Sequence, residues 1–245
     1  MVNIADLCVE TSEGRGKNSI EEILEFAEKL GIGFLGICDR EDSIKDMDRY
    51  LKKIEKVDSK TDVRVLKGIK ISTSKVKELN DKISGLRDKV EILVVEGNGY
   101  RINRKASEDS RIDILLNPEK GRKDPGIDHV LSKKMEKNQV MLGIGWRKLL
   151  RTKGKKRAQI LSQIRRQLRL HEKFSFGICI VSNSRDKMEM RKPLDMTGLG
   201  VILGLDEEKS IKMVSRNPMN IVERSEKVLS DNFVMPGVEV VDDES

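Results

Sequence analysis

The sequence predicts an α/β fold in which about seven parallel strands and their surrounding helices form a barrel. Seven short apolar segments alternate along the chain with segments whose apolar residues recur at helical spacing, which is the pattern of parallel β/α units. The 245 residues are also enough for one large α/β domain with a sizeable core. Right-handed crossovers favour closure into a barrel related to the (β/α)₈ fold, and a doubly wound open sheet is the alternative.

The strands and helices follow one another with local signals. Apolar runs predict strands at residues 4–9, 33–38, 63–72, 90–96, 112–116, 139–145 and 175–181. The first helix has the clearest start, because Ser19 and Glu22 form a capping box, and Gly31 is a typical helix end. Helical spacing places further helices around 44–54, 76–86, 98–109 and 155–171.

The remainder of the chain lacks strand patterns. Residues 193–229 are predicted to be helices interrupted by Gly204 and by Asn217-Pro218. Because no linker or internal repeat divides the chain, residues 1–229 are expected to form a single barrel domain. The tail, residues 230–245, ends in Asp242-Asp243-Glu244 and is expected to be disordered.

The stretch 111–135 is central to the prediction. Its strand is interrupted by Asp113, which is interpreted as a buried carboxylate paired with an arginine or, alternatively, as part of a site. A basic loop follows, and a helix is predicted to begin at Asp124-Pro125, an N-cap acid and a proline at the first helical position. His129 falls on the polar face of this helix, opposite the apolar residues Ile127, Val130, Leu131 and Met135.

The composition bounds the class of protein. Lys and Arg outnumber Asp and Glu by 48 to 41, which favours polyanionic partners, while aromatics at 3% leave few residues for stacking bases. The three scattered cysteines form no disulfide framework and indicate a reducing compartment. No apolar run approaches the roughly 18 residues that span a bilayer, and no signal peptide is indicated. We therefore expect a cytoplasmic protein without a membrane partner.

A hydrolytic metal centre is not expected. In a barrel the functional groups gather at the carboxyl ends of the strands, and a metallohydrolase needs a dense set of histidines and carboxylates there. The chain has only two histidines, His129 and His171, and it contains no H-x-H, H-E-x-x-H or phosphate-binding glycine loop. His171, near the end of a helix, is interpreted as a surface or capping residue.

The strongest signal of function is a basic stretch. Residues 147–173 contain eleven Lys or Arg and a single acid, Glu172. Most charge runs are solvated helix faces, but such faces usually mix the two signs. Binding to a phosphate backbone is therefore favoured, with an acidic protein surface as the alternative partner.

Several segments, in order, resemble the archaeal ribonuclease P protein component 3 family, which includes the eukaryotic thirty-kilodalton ribonuclease P subunit. They are Asn103-Arg104-Lys105-Ala106, Arg111-Ile112-Asp113-Ile114-Leu115, Gly126-Ile127-Asp128-His129, the helix from Lys156-Arg157-Ala158 to Leu170, Val181-Ser182-Asn183-Ser184 and Met190-Arg191-Lys192-Pro193. Each segment is weak alone, but the ordered set is specific. The resemblance extends from about Ile4 to Ser225.

The resemblance implies a seven-stranded TIM-like barrel, akin to the PHP phosphoesterase fold, in a subunit of ribonuclease P. That ribonucleoprotein removes the 5′ leader of precursor tRNA, and its RNA performs the hydrolysis with Mg²⁺ while the protein binds no cofactor. The implied partners are the ribonuclease P RNA, protein component 2 in a heterodimer or heterotetramer, the other ribonuclease P proteins, and precursor tRNA. The implied RNA contacts are Lys105, Arg122, His129, Lys173 and Arg191, with Asp113 and Asp195 as supporting carboxylates.

Two of these residues also have plain interpretations, because His129 could be an ordinary surface histidine and Arg191 a solvated loop cation. A PHP-type metal-dependent phosphoesterase is the alternative function. Against it, the histidine-rich first strand of the PHP relatives is reduced here to Asp6-Leu7-Cys8-Val9, which keeps only the acid. The family's Ser-Ser-Gly-like turn after the seventh strand reads Ser182-Asn183-Ser184, which weakens the expectation of a backbone contact there.

Overall fold

Seven parallel strands, hydrogen-bonded in chain order, form the centre of the protein. The computed structural model describes residues 4–58, 61–228, 233–235 and 238–239. The strands are β1 (Ala5–Val9), β2 (Phe34–Arg40), β3 (Arg64–Ile71), β4 (Ile92–Glu96), β5 (Ile114–Leu116), β6 (Met141–Gly145) and β7 (Ile178–Val181). They are buried on both faces, which explains why the sequence shows continuous apolar runs rather than alternation.

The sheet closes on itself. A parallel bridge joins Val9 to Ser184, and the amide of Glu10 donates to the carbonyl of Ser184 at 2.9 Å. At the amino end, residues 213–214 fill the gap, since Ala5 N donates to Val214 O and Ile180 N to Met213 O, both at 3.0 Å. The protein is therefore a nearly closed TIM-like barrel, as predicted, and the open-sheet alternative is wrong.

Helices surround the barrel. They are α1 (Ile20–Leu30), α2 (Met47–Asp58), α3 (Val76–Leu86), α4 (Tyr100–Glu108), α5 (His129–Lys137), α6 (Trp146–Leu150), α7 (Gly154–Phe174), α8 (Pro193–Leu203), α9 (Glu207–Lys212) and α10 (Arg216–Val228). The capping box at Ser19 and Glu22 is confirmed, and Gly31 ends α1 in the left-handed conformation at φ 75°.

The apolar core has two layers. One lies inside the barrel, where strand residues such as Leu66 and Ile114 meet Ile221 and Val222 of α10. Those two residues close the amino end, because α10 packs against β1, β4 and β7. The second layer lies between the outer face of the strands and the remaining helices. The carboxyl ends of the strands and the outer wall are thus the surfaces left for function.

The predicted start of the fifth helix is wrong. Helix α5 begins at His129, and its N-cap is Asp128, whose Oδ1 accepts from the amides of Val130 and Leu131. The preceding Gly126 has φ 75°, which ends any helix that starts at Asp124. With this register Val130, predicted to face the core, is 45% exposed.

Two further details differ from the prediction. Asn217-Pro218 lies inside the first turn of α10 rather than between helices, since a proline there removes only an amide that has no helical partner. Ile44 precedes α2 at the end of a short 3₁₀ helix, residues 41–43. The tail that was expected to be disordered, residues 230–245, lies mostly outside the described residues. Its described parts, residues 233–235 and 238–239, pair as short antiparallel strands, β8 and β9.

Candidate nucleic-acid interface

The loop that follows β5, residues 117–128, is anchored at its start by buried polar side chains; we call it the groove loop. Asn117 adopts φ 49°, and its Oδ1 accepts from the amide of Gly145 at 2.9 Å. Glu119 is 2% exposed and accepts from Lys148 Nζ at 2.6 Å and from Gln167 Nε2 at 3.0 Å. The loop is therefore fixed to both β6 and α7.

The middle of the groove loop is held by side chains of both α4 and α7. Buried Asn103 on α4 donates to the carbonyls of Pro118 at 2.9 Å and Gly126 at 2.8 Å. Gln163 on α7 donates to the carbonyl of Arg122 at 2.6 Å. Gly126 packs so closely that a Cβ there would lie 2.1 Å from Pro118 O. These contacts make the loop a rigid support for the side chains it carries.

A groove of about 660 Å³ lies between this loop and α7. Its basic lining comes from Arg122 and His129 on one side and from α7 on the other, namely Arg166, Arg169 and Lys173. The structure thus brings together three of the five predicted RNA contacts. It adds Arg166 and Arg169, which belong to the basic stretch that was interpreted as phosphate-binding but were not among the five individual RNA contacts. Their spacing with Lys173 on one helix face could have identified them.

The cations of the groove differ in their pairing. Arg122 forms a two-pronged ion pair with Asp124, Nε–Oδ1 at 2.7 Å and Nη2–Oδ2 at 2.6 Å. The hydrogen bonds from Arg122 lower the pKa of Asp124. The positive charge of Arg166 lowers it further. By contrast, Arg166, Arg169 and Lys173 have no carboxylate within ion-pair distance in the part of the chain that the structure describes. Their charge is available to an external anion.

The same is true of most of the basic stretch. Of its eleven cations, Arg147 and Arg151 pair with Glu189, and Lys148 pairs with Glu119. Within residues 4–58 and 61–228, no ion pair involves the other eight, which are Lys153, Lys155, Lys156, Arg157, Arg165, Arg166, Arg169 and Lys173. Helix α7 therefore presents a largely unneutralised positive surface.

The other two predicted RNA contacts lie outside the groove. Lys105 pairs with Asp109 at 3.0 Å. Partial burial raises the pKa of Asp109, but hydrogen bonds from Arg111 and Lys105 lower it to about 2. Arg191 precedes α8 and donates to the carbonyls of Met188 and Met190 at 2.8 and 2.7 Å. The roles of both residues stay predictions.

The two predicted supporting carboxylates differ in burial and in pairing. Asp113 is buried and pairs with Arg87 at 2.5 Å and with Arg224 at 3.1 Å, which confirms it as a paired carboxylate. The cations that it holds are not among the predicted RNA contacts. Asp195 lies exposed in the first turn of α8, and its supporting role stays a prediction.

The carboxyl end of the barrel, which we call the barrel mouth, is closed by an internal ion pair. Lys70 on β3 contacts Glu10 at 2.5 Å, and each side chain is 1% exposed. Lys70 Nζ also donates to Asn183 Oδ1 at 2.7 Å, and Arg185 contacts the same oxygen of Glu10 at 3.0 Å. Burial lowers the pKa of Lys70, but neighbouring acidic groups, Glu10 among them, outweigh burial and raise it, so the ammonium stays charged.

Two further buried carboxylates, Asp6 on β1 and Asp39 on β2, have raised pKa values. Burial raises the pKa of Asp6 to about 6, although Ser182 N donates to its Oδ1 at 2.9 Å. Burial likewise raises the pKa of Asp39 to about 6, against two hydrogen bonds of 2.6 Å from Thr11. Among the described residues, no group of three or more His, Cys, Asp or Glu side chains could hold a metal ion. No pattern around Lys70 in the sequence indicated that this lysine lies at the centre of the cluster.

The fold and the groove together define the class of this protein, a TIM-like (β/α) barrel with a basic groove on its outer wall. Within its described residues, none of the helices is both long and apolar enough to cross a membrane. The family model for RNase P subunit p30 matches residues 3–228, so the chain belongs to that family.

Individual relatives agree with this assignment. Ribonuclease P protein component 3 of Methanocaldococcus jannaschii is 32% identical over 197 residues, which cover 80% of this chain and 84% of that protein. A chain in the cryo-EM structure of archaeal ribonuclease P with mature tRNA superposes with a TM-score of 0.83 at 28% identity, covering 98% of this chain and 99% of the other. The predicted family is confirmed.

A more distant structure shows the fold alone. Histidinol phosphate phosphatase from Lactococcus lactis superposes with a TM-score of 0.57 at 8% identity and covers 92% of this chain and 94% of its own. The family match therefore favours the ribonuclease P function over the phosphoesterase alternative.

Proposed function

We propose that this chain is an RNA-binding protein subunit of ribonuclease P and that the groove beside α7 is its RNA contact. The observation that carries the proposal is the row of exposed cations on α7 that have no carboxylate partner among the described residues. Such cations neutralise phosphates and release the counterions condensed on the RNA, which drives binding at moderate salt. The membership of the chain in the RNase P subunit p30 family supports the same function.

In this proposal the protein is not the catalyst. The ribonuclease P RNA, with its bound Mg²⁺, hydrolyses the phosphodiester at the 5′ leader of precursor tRNA. The role of Arg166, Arg169 and Lys173 is to hold the phosphate backbone of the folded RNA in place. The barrel mouth supports this division of labour, because Glu10 is already neutralised there by Lys70 and Arg185.

The proposed protein partners are component 2, in a heterodimer or heterotetramer, and the other ribonuclease P proteins. Exposed apolar side chains on α8 support a protein partner, since Leu194 is 78% and Ile202 62% exposed. The proposed compartment is the cytoplasm, which is supported by the three buried free cysteines, Cys8, Cys38 and Cys179.

Reconstituted cleavage of precursor tRNA tests the proposal. The ribonuclease P RNA and component 2 are assayed at low Mg²⁺ with and without this protein. We expect activity to rise only when both proteins are present, and the replacement of Arg166 and Arg169 by alanine to raise the protein concentration needed for half-maximal activity. Arg165→Ala is the matched control, because Arg165 lies on the same helix but contacts Ile202 O outside the groove. No response to the wild-type protein would contradict the proposal.

A further inference from the structure

The groove is a concave pocket with a mixed lining and not only a positively charged surface. Its volume of about 660 Å³ lies within the range of pockets that enclose a small molecule. Its lining is mixed, since Arg166, Arg169 and Lys173 occupy the α7 side. The other side adds an aromatic ring, Tyr100, and the edges of the largely buried Pro125 and Ile127 to its charged residues, which are Arg122, Asp124, Asp128 and His129. A duplex backbone offers nothing to such a surface, because A-form helices present phosphates, sugars and shallow base edges.

Tyr100 is placed as a platform in this pocket. It is the first residue of α4, its side chain is 42% exposed, and Gly99 before it has φ 83°. Its hydroxyl, at the far end of the ring, makes only a long hydrogen bond to Asp128 Oδ2, at 3.4 Å. The only other tyrosine, Tyr50, is buried. The exposed one of the two tyrosines thus lines this basic pocket.

Polar and charged groups near the Tyr100 ring could contact the other parts of a nucleotide. The carboxylate of Asp124 is 49% exposed, so it retains acceptor capacity although it pairs with Arg122. Carboxylates accept hydrogen bonds from the exocyclic amino groups of bases. Across the pocket Arg169 and Lys173 form no ion pair with a carboxylate in the described part of the chain. The pocket therefore offers a stacking face, acceptors for a base and cations for a phosphate.

We propose that the groove binds one unpaired nucleotide of a structured RNA, with its base stacked on Tyr100 and its phosphate held by Arg169 and Lys173. This inference rests on the proposed RNA-binding function and narrows it to an extruded or single-stranded nucleotide. Only an unstacked base exposes the face that an aromatic ring can cover, and such stacking contributes about 1–3 kcal/mol per base.

Two blunt-ended RNA duplexes, each annealed from two strands, test the inference; one is fully paired, and the other differs only by a single-nucleotide bulge that carries 2-aminopurine. We expect the full-length protein to bind the bulged RNA more tightly and to quench its fluorescence. Tyr100→Ala should weaken binding of the bulged RNA by roughly 5- to 150-fold, the equivalent of the stacking energy, with little effect on the paired RNA. Tyr100→Phe, which keeps the ring, should retain both the preference and the quenching.

The salt dependence separates this role from a structural one. Tyr100→Ala should leave the slope of log K against log salt unchanged, because no phosphate contact is lost, whereas Arg169→Ala should reduce it for both RNAs. Equal affinity for the two RNAs, or an equal loss with both on Tyr100→Ala, would overturn the inference. If Arg169→Ala then still reduced the slope, the proposed RNA binding would be kept and only the binding of an unpaired nucleotide would be rejected. If the wild-type protein bound neither RNA, both proposals would fail.

Discussion

The barrel mouth and the groove both contain cations, but the two regions differ in what those cations face. At the mouth, Lys70 faces Glu10, and both side chains are almost fully removed from solvent. In the groove, Arg166 and Arg169 are exposed and have no carboxylate of the described residues within ion-pair distance, although Asp124 and Asp128 also line the groove. The mouth therefore satisfies its charges internally, whereas the groove leaves them to an external partner.

This difference shows why a count of basic residues does not locate an anion site. A cation that is already desolvated and paired has its interaction energy committed to the fold, and separating the pair leaves a buried charge uncompensated. An exposed and unpaired cation contributes little to stability and is free to neutralise a phosphate. The comparison thus predicts opposite consequences for substitutions in the two regions.

The largest effect is expected at the mouth. Lys70→Met should lower the free energy of unfolding by about 3–5 kcal/mol, because it leaves Glu10 buried with only Arg185 as its charge partner. Urea denaturation measures this change. Lys67→Met is the matched control on the same strand; its pair with Glu55 lies near the surface, so its loss should cost at most about 1 kcal/mol. Equal losses of unfolding free energy in the two variants would show that the buried pair stabilises the fold no more than the surface pair does.

Asp6 gives the next largest effect, and it depends on pH. Its pKa of about 6 in the folded protein exceeds the ordinary value of 3.8, so between these values the folded state binds more protons than the unfolded state. Stability from this group is present at low pH and is lost as the pH rises through about 4 to 6. Asp6→Asn should therefore gain up to about 3 kcal/mol relative to the wild type between pH 3 and pH 7.

Unfolding in urea at a series of pH values measures the gain. Asp39 has a similarly raised pKa and remains in the variant, so part of the pH dependence should persist. Exposed Asp48, paired with Lys89 at 3.3 Å, provides the control substitution Asp48→Asn. A stability difference that stays constant across the range would contradict the raised pKa of Asp6.

The barrel was predictable because its signals are local or periodic. Apolar runs buried on both faces define the seven strands, and the capping box at Ser19 fixes the start of α1. The start of α5 was not predictable in this way, since Asp124 and Asp128 are both reasonable N-caps. The choice depends on Gly126, whose left-handed conformation and contact with Pro118 arise from tertiary packing.

The candidate site was predictable only in part. The basic stretch indicated a phosphate-binding surface, and its helix does line the groove. The pairing of each cation depends on residues that are distant in sequence, as with Lys70 and Glu10, which lie sixty positions apart. A lysine within a strand pattern gives no sign of burial, and a tyrosine at a helix start gives no sign of a pocket. Those features required the three-dimensional structure.

A smaller effect is expected from Gly126, which shapes the groove. Gly126→Ala and Gly121→Ala both place a side chain at positive φ, 75° and 71°, but only the first meets neighbouring atoms, with Pro118 O at 2.1 Å. Overpacking of this kind costs about 1–3 kcal/mol. Gly126→Ala should therefore lose that much more stability than Gly121→Ala, as measured by urea denaturation, and should weaken RNA binding through displacement of the groove loop. Equal effects would show that the loop tolerates rearrangement.

The smallest effects on stability, and the most specific for function, are expected on α7. Arg166→Ala, Arg169→Ala and Lys173→Ala should each change the free energy of unfolding by less than about 0.5 kcal/mol, because exposed and unpaired side chains contribute little to it. Each should reduce the slope of log K against log salt for RNA binding by about 0.7–0.9, the change expected when one phosphate contact is lost. Filter binding at several salt concentrations measures both the slope and the affinity.

Arg122→Ala compares a paired cation of the groove with the unpaired cations of α7. Among the groove cations, only Arg122 is paired with a carboxylate of the described residues. Its removal deletes one positive charge and also exposes the negative charge of Asp124 to the RNA. It should therefore weaken binding at low salt more than Arg165→Ala, the control outside the groove, and the double substitution with Asp124→Asn should restore part of the loss. If Asp124→Asn restored nothing, the ion pair would have no influence on the RNA, and the distinction between paired and unpaired cations in the groove would be wrong.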